Sequence, residues 1–328
     1  MHMAMNRYLR FSMIGLAVPV VLVGGALSYI SAALPDVGPP PDLKVEITPE
    51  RVERGKYLAW HVVQCMDCHS ERDWTLFSGP PKPGTDGAGG DVFDRSMGFP
   101  GQYVARNITP ANLGTWTDGE IYRAITAGVN KHGEPLFPVM PWQNYGKMAD
   151  EDIHAIIAYI RTLEPIENQL PTSESDLPFN FILRTLPKKG VPGARPDPSD
   201  PVAYGGYLLN AAACGDCHTE FADGEFTGPF LAGGREFRFP DGSLLRTPNL
   251  TPHSTGLGSW DKETFVSRFK QYAEDKYTPH QVAPGEFQTI MPWMMYAGMT
   301  EEDIGAIYEY LRTVEPVENT VERFEPAS

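Results

Sequence analysis

Four cysteines occur in 328 residues, and all four stand in one pattern: Cys65-Met66-Asp67-Cys68-His69 and Cys214-Gly215-Asp216-Cys217-His218. Cys-x-x-Cys-His is the attachment pattern of a c-type haem. Two thiols three positions apart at a helix end can add across the two vinyl groups of one porphyrin. The adjacent histidine then lies under the iron and supplies a nitrogen ligand. A redox Cys-x-x-Cys pair calls for a βαβ context, which is missing. A four-cysteine zinc site would need the two pairs to meet, and neither alternative explains a histidine after both pairs. The expectation is two covalently bound haem c groups, with His69 and His218 as axial ligands.

A histidine-ligated iron then needs a sixth ligand or an open position. Met140 follows His69 by 71 residues and Met291 follows His218 by 73, and each opens a Met-Pro-Trp triplet. Methionine is usually core filler, but of the twelve methionines only these two occupy equivalent places. A thioether opposite histidine makes an electron-transfer haem of raised potential. Met294, Met295 and Met299 are the alternatives for the second haem. His132, His154, His253 and His280 have no histidine counterpart in the other half and read as surface or loop residues. Trp116 and Trp260 are expected to line or flank the haem pockets. Asn107 and Asn249, with Arg106 and Arg246 nearby, either meet haem propionates, since a buried carboxylate needs donors, or serve the turn chemistry of Asn-x-Thr-Pro.

These residues belong to an internal repeat. Arg54-Gly55-Lys56-Tyr57-Leu58 answers to Tyr204-Gly205-Gly206-Tyr207-Leu208, Ser78-Gly79-Pro80 to Thr227-Gly228-Pro229, and Asn107-Ile108-Thr109-Pro110 to Asn249-Leu250-Thr251-Pro252. Gly114-Thr115-Trp116 answers to Gly258-Ser259-Trp260, and residues 151–168 to 302–319. The order never changes, so the pattern predicts two homologous units with loop insertions, 48–168 and 200–322. The second is longer before Met291. The Pro-rich stretch 169–199 reads as a linker. Thr48, Pro49 and Glu50 start a helix that should run into Cys65, and Asp200 with Pro201 repeats the device. Thr117 with Glu120, and Thr300 with Asp303, have capping-box spacing. Ile153, Ile156, Ile157, Ile160 and Leu163 form one apolar stripe, as do Ile304, Ile307, Tyr308 and Leu311. With no long period-2 run, the expected fold class is all-α: two tandem class I-like cytochrome c domains with long loops.

Phe11 to Leu34 carries no charge over 24 residues, enough for a transmembrane helix, which needs roughly 20. Arg7 and Arg10 precede it and Asp36 is the first charge after it. The positive-inside bias then predicts a single-pass anchor in the cytoplasmic (inner) membrane, in contact with lipid, with the rest on the periplasmic side. The rival is a cleaved signal with a small-residue site at Ser31-Ala32-Ala33. The formal net charge is −15. Such a surface disfavours nucleic acid and suits a partner with a basic docking face; the acidity also serves solubility.

The order Arg-Gly-x-Tyr-Leu, Cys-x-x-Cys-His, Asn-[Ile/Leu]-Thr-Pro, Gly-x-Trp, Met-Pro and an Asp-Ile helix resembles the multihaem cytochrome c subunits of bacterial membrane-bound alcohol, aldehyde and gluconate dehydrogenases. The resemblance covers about residues 50–320 and includes Leu177-Pro178-Phe179-Asn180-Phe181. It implies a periplasmic subunit passing electrons from a dehydrogenase to quinone or an oxidase. Those subunits usually carry three haems, whereas this chain has two motifs. The expected function is therefore an electron carrier and not an enzyme, working in electron transport such as a respiratory chain. Its partners would be a dehydrogenase or quinol-oxidising complex on one side, and an oxidase or reaction centre on the other. The alternative is a dihaem, peroxidase-like enzyme with one displaceable axial ligand. A thiosulfate dehydrogenase would need a further cysteine ligand, and a gas sensor would need a signalling domain.

Overall fold

The computed structural model describes residues 7–222 and 224–327, and in the first helix it describes side chains from Val18 onward. The helices of the first half are α1 (Arg7–Ala33), α2 (Pro49–Tyr57), α3 (Cys65–Cys68), α4 (Pro110–Leu113), α5 (Asp118–Ala127), α6 (Trp142–Tyr145) and α7 (Asp150–Ile160). After the connecting helix α8 (Phe179–Thr185) come α9 (Pro201–Ala211), α10 (Cys214–Cys217), α11 (Lys262–Lys270), α12 (Trp293–Ala297) and α13 (Glu301–Leu311).

Helix starts follow local chemistry. The Thr48 hydroxyl accepts from Arg51 N, with Pro49 at the first position. Thr117 and Glu120 form a complete capping box, Asp200 caps α9 through Ala203 N, and Thr300 caps α13 through Asp303 N. Each side-chain oxygen satisfies an amide that the helix cannot. The entry into Cys65 differs from expectation. α2 continues through one wide turn, Leu58–Val62, and then breaks at Gln64, whose φ is 56°. Ala213, its counterpart before Cys214, has φ 53°. A left-handed residue cannot propagate a right-handed helix, so each Cys-x-x-Cys forms its own turn.

Two crossings organise the core. α2 crosses α7, and α9 crosses α13. Gly55 lies so close to α7 that a Cβ there would meet Ala155 O at 1.8 Å; at Gly205 a Cβ would meet Ala306 O at 1.9 Å. The apolar faces of all four helices join one buried cluster that includes Leu58, Ile153, Ile156, Leu208, Ile304 and Leu311.

The halves are also tied reciprocally. Tyr57 donates to Asp303 Oδ2 (2.6 Å) at the start of α13, and Tyr207 donates to Asp152 Oδ2 (2.7 Å) at the start of α7. Asp152 also accepts from Arg54 (2.9 and 3.0 Å) and Arg195 (2.9 Å). Burial pushes the Asp152 carboxyl up, but the bonds and charges of Arg54, Tyr207 and Arg195 outweigh it and hold the group below its ordinary value. A depressed carboxylate contributes stability that is present above the unfolded range near pH 4 and is lost as pH falls through the folded value. Asp152→Ala is expected to cost about 3 kcal/mol, the lower edge for breaking a buried pair, because the Arg54 side chain is 25% exposed. Urea melts at pH 7 and pH 3 check this: the gap between wild type and variant should close at the lower pH.

The all-α expectation is overturned. Three small antiparallel sheets are present: β1 (Val92–Phe93), β2 (Gly101–Val104) and β3 (Glu174–Ser175); β4 (Phe221–Ala222) and β5 (Glu225–Phe226); and β6 (Glu236–Arg238), β7 (Leu244–Arg246) and β8 (Phe324–Glu325). Strands of two to four residues are too short for alternation to register. β3 belongs to the 169–199 stretch and pairs with β2, so that stretch is docked on the first half.

The expected transmembrane helix is corrected too. Among the described residues no helix is long and apolar enough to cross a membrane. The side chains described in α1 are those of residues 18–33. Those of Arg7, Arg10 and residues 11–17 lie outside the described residues. The Arg184 guanidinium of α8 donates to Leu34 O (3.0 Å) just past the end of α1.

Candidate haem site

Each motif histidine is fixed by the same bond. His69 Nδ1 lies 2.6 Å from Arg106 O, and His218 Nδ1 lies 2.9 Å from Pro248 O. A carbonyl only accepts, so Nδ1 carries the proton and Nε2 keeps its lone pair for a metal. Burial pushes His69 down and His218 down to about 4, so both rings are neutral. The carbonyls occupy equivalent places, each directly before the Asn of Asn-x-Thr-Pro.

Those asparagines do turn work. Asn107 Oδ1 accepts from Thr109 N (2.8 Å) and Thr109 Oγ1 (2.7 Å), while its amide donates to Ile166 O (2.7 Å). Asn249 accepts from Thr251 N (2.9 Å) and donates to Val317 O (2.8 Å). Each thereby ties the loop carrying the histidine's carbonyl partner to the segment after the terminal helix. Arg106 donates to Pro171 O. Arg246 pairs with Glu236 (2.9 Å) and Glu325 (3.1 Å).

Among the described residues no disulfide joins the four cysteines. Burial pushes the Cys65 and Cys214 thiols up to about 12 and raises those of Cys68 and Cys217. Among the described residues no cluster of three His, Cys, Asp or Glu is placed to hold a metal ion.

One continuous cavity of about 2620 Å³ brings the two motifs together. Cys65, Cys68, His69 and Met140 line it, and so do Cys214, Cys217, His218 and Met291. Trp116, Trp260, Asn107, Asn249, Arg106 and Arg246 are on its wall as well. Met299 also lines it, whereas Met294 and Met295 do not. Small-molecule pockets reach about 1,000 Å³, so this space suits a bulkier occupant or more than one. Its donor set, two thiols, a neutral imidazole and a thioether from each half, fits covalent haem c. The Met140 and Met291 turns are alike: Trp142 N donates to Met140 O (2.7 Å) and Trp293 N to Met291 O (2.8 Å).

Sequence reading passed over Tyr145 and Tyr296, the equivalent tyrosines three residues after each Met-Pro-Trp tryptophan. Tyr145 donates to Val63 O (2.9 Å) and Tyr296 to Ala212 O (2.7 Å). Each therefore fastens the carbonyl two residues before its motif's first cysteine. The repeated Trp-x-x-Tyr was the signal.

Residues 202–315 match the cytochrome c family model. The chain is 31% identical to the fructose dehydrogenase cytochrome subunit of Gluconobacter japonicus, over 80% of this chain and 52% of that protein. It is 27% identical to the alcohol dehydrogenase (quinone) cytochrome c subunit of Gluconacetobacter polyoxogenes, over 81% of this chain and 56% of that one. A diheme cytochrome c-type protein of Cereibacter sphaeroides is 25% identical over 85% of this chain and 90% of its own length. The chain spans little more than half the length of the two dehydrogenase subunits. Residues 202–315 are thus similar to a cytochrome c domain, and over four fifths of its length the chain resembles the cytochrome c subunits of bacterial fructose and alcohol dehydrogenases.

Proposed function

We propose that this chain is a dihaem electron-transfer cytochrome c, serving as the cytochrome subunit of a dehydrogenase complex or as a carrier beside one. The supporting observation is that two equivalent sets of two cysteines, one histidine and one methionine line a single cavity. Residues 48–168 would hold one haem through Cys65, Cys68, His69 and Met140, and residues 200–322 the other through Cys214, Cys217, His218 and Met291. Bound haem supplies reversible one-electron chemistry. The protein's residues fix the imidazole tautomers, close the pocket with Trp116 and Trp260, and present a thioether rather than an open position. Haem domains on the periplasmic side of the cytoplasmic membrane suit covalent attachment, and a formal net charge of −15 suits a partner with a basic face.

A pyridine haemochrome assay with intact mass tests the stoichiometry; any value other than two haems per chain rejects it. Ligation has its own test. Met140→His is expected to lower the potential of one haem and leave the other near its wild-type value, because a thioether raises potential relative to a second imidazole. A redox titration in which both waves move, or neither, would reject Met140 as a ligand. Rapid carbon monoxide binding by the reduced wild type would instead favour the peroxidase-like reading.

A further inference from the structure

The two methionine turns are held differently. The Met140 backbone bonds within its own half, its amide donating to Phe137 O (3.3 Å), and the second half reaches past the triplet to Asn144, which accepts from Asn210 (3.0 Å) and donates to Asp216 (2.9 Å). The Met291 turn is gripped by a loop of the other half, Glu71–Lys82, on which Ser78 is buried. Ser78 Oγ donates to Met291 O (2.5 Å) and accepts from Trp293 N (3.3 Å), so one hydroxyl engages both ends of the Met-Pro-Trp turn. Gln288 locks the loop in place. Its Oε1 accepts from Ser78 N (2.8 Å), and its Nε2 donates to Leu76 O (2.9 Å) and Trp74 O (3.2 Å). Phe77 N donates to His280 O and Val282 N to Thr75 O, both at 2.9 Å. Phe77 itself stacks on His280 (5.0 Å) and Tyr272 (6.0 Å). The gripping segment, 277–288, falls in the stretch by which the second repeat is longer before its methionine.

Among the described residues the contact has no reciprocal. Thr227, the counterpart of Ser78, bonds through its amide to Glu220 O within its own half. Ser78 also holds φ at 65°, a conformation that a serine keeps only where its surroundings impose it.

We propose that Ser78 is a positioning residue for Met291: the first half of the chain sets the thioether of the second haem through one hydroxyl. This rests on Met291 being an axial ligand. The hydroxyl fixes the Met291 carbonyl, hence the turn from which the thioether reaches into the cavity. Without it the turn is tethered by Thr289 Oγ1 to Met291 N (3.0 Å) and by its own backbone. The asymmetry predicts that perturbing one loop of the first half alters the second haem and spares the first.

Ser78→Gly tests this, since glycine adopts this φ freely and lacks the hydroxymethyl group that makes both bonds. Haem content should stay at two per chain. In the oxidised protein the sulfur–iron charge-transfer band should fall toward half, and one midpoint potential should drop while the other holds. A purely structural role would lower the melting temperature and leave band and potentials alone, which would overturn the proposal. Met291→Leu separates the two layers. If it leaves the whole band, Met291 is not a ligand and both readings fall. If it halves the band while Ser78→Gly does not change it, only the role of Ser78 fails. Should Ser78→Gly not accumulate, Gln288→Met releases the same loop; the same split is expected, and an unaltered band overturns the proposal.

Discussion

A Cys214→Ala/Cys217→Ala double variant is expected to carry one haem per chain instead of two and to lose the fold of its second half. The magnitude follows from the cavity. Residual void costs about 24 cal/mol per Å³ in a folded core, so even a quarter of the 2620 Å³ space, left empty and dry, would cost on the order of 15 kcal/mol. That is the whole stability of an ordinary domain, about 5–15 kcal/mol. Water entering the space lowers the cost but wets the apolar side chains Leu257, Phe265, Ile304, Ile307 and Leu311 that line it. On the proposed reading the haem would be part of the core, and its loss should unfold the part built around it. Haemochrome stoichiometry and limited proteolysis read the result. A variant that keeps two haems, or keeps residues 200–322 protected with one, would contradict it.

Gly205→Ala should also be damaging, though less so, without touching a proposed haem ligand. The added Cβ would sit 1.9 Å from Ala306 O and 2.4 Å from Ala306 C. Backbone atoms in mid-helix cannot rotate away, so α9 and α13 must separate by an ångström or more. Overpacking of this kind costs about 3 kcal/mol, or more where the surroundings are rigid. The displacement reaches the site, because α13 places Ile304, Ile307 and Leu311 on the cavity wall. Gly55→Ala should behave alike at the α2–α7 crossing, where Ala155 O is at 1.8 Å. Denaturant midpoints at fixed haem content provide the measurement, and a loss under 1 kcal/mol at either position would mean that the helices part more easily than their packing indicates.

The candidate site was legible where it is written into short patterns. Cys-x-x-Cys-His marks a proposed haem attachment over five residues, and a second copy recurs in the same order. The repeat also carried Met140 and Met291, which alone would have passed for core filler. Helix starts at Thr48, Thr117, Asp200 and Thr300 were equally visible, since capping depends on residues three positions apart. The small sheets were not: β1 to β8 are held by pairing across the chain, and two-residue strands leave no periodic trace. The role of Asn107 and Asn249 stayed open for a similar reason, because their partners, Ile166 O and Val317 O, lie nearly sixty or more residues away.

By itself, the sequence determined the two Cys-x-x-Cys-His motifs, the paired methionines and the order of elements around them, because each is a local or repeated pattern that needs no distant partner to be read. Only the tertiary structure decided that both motifs open into one cavity, that Tyr57 and Tyr207 each reach across to the opposite half's terminal helix, and that Ser78 of one half grips the Met291 turn of the other. These features depend on which surfaces meet when two homologous units pack together, and hydrogen bonds between residues 55 to 246 positions apart leave no signal in the spacing of either.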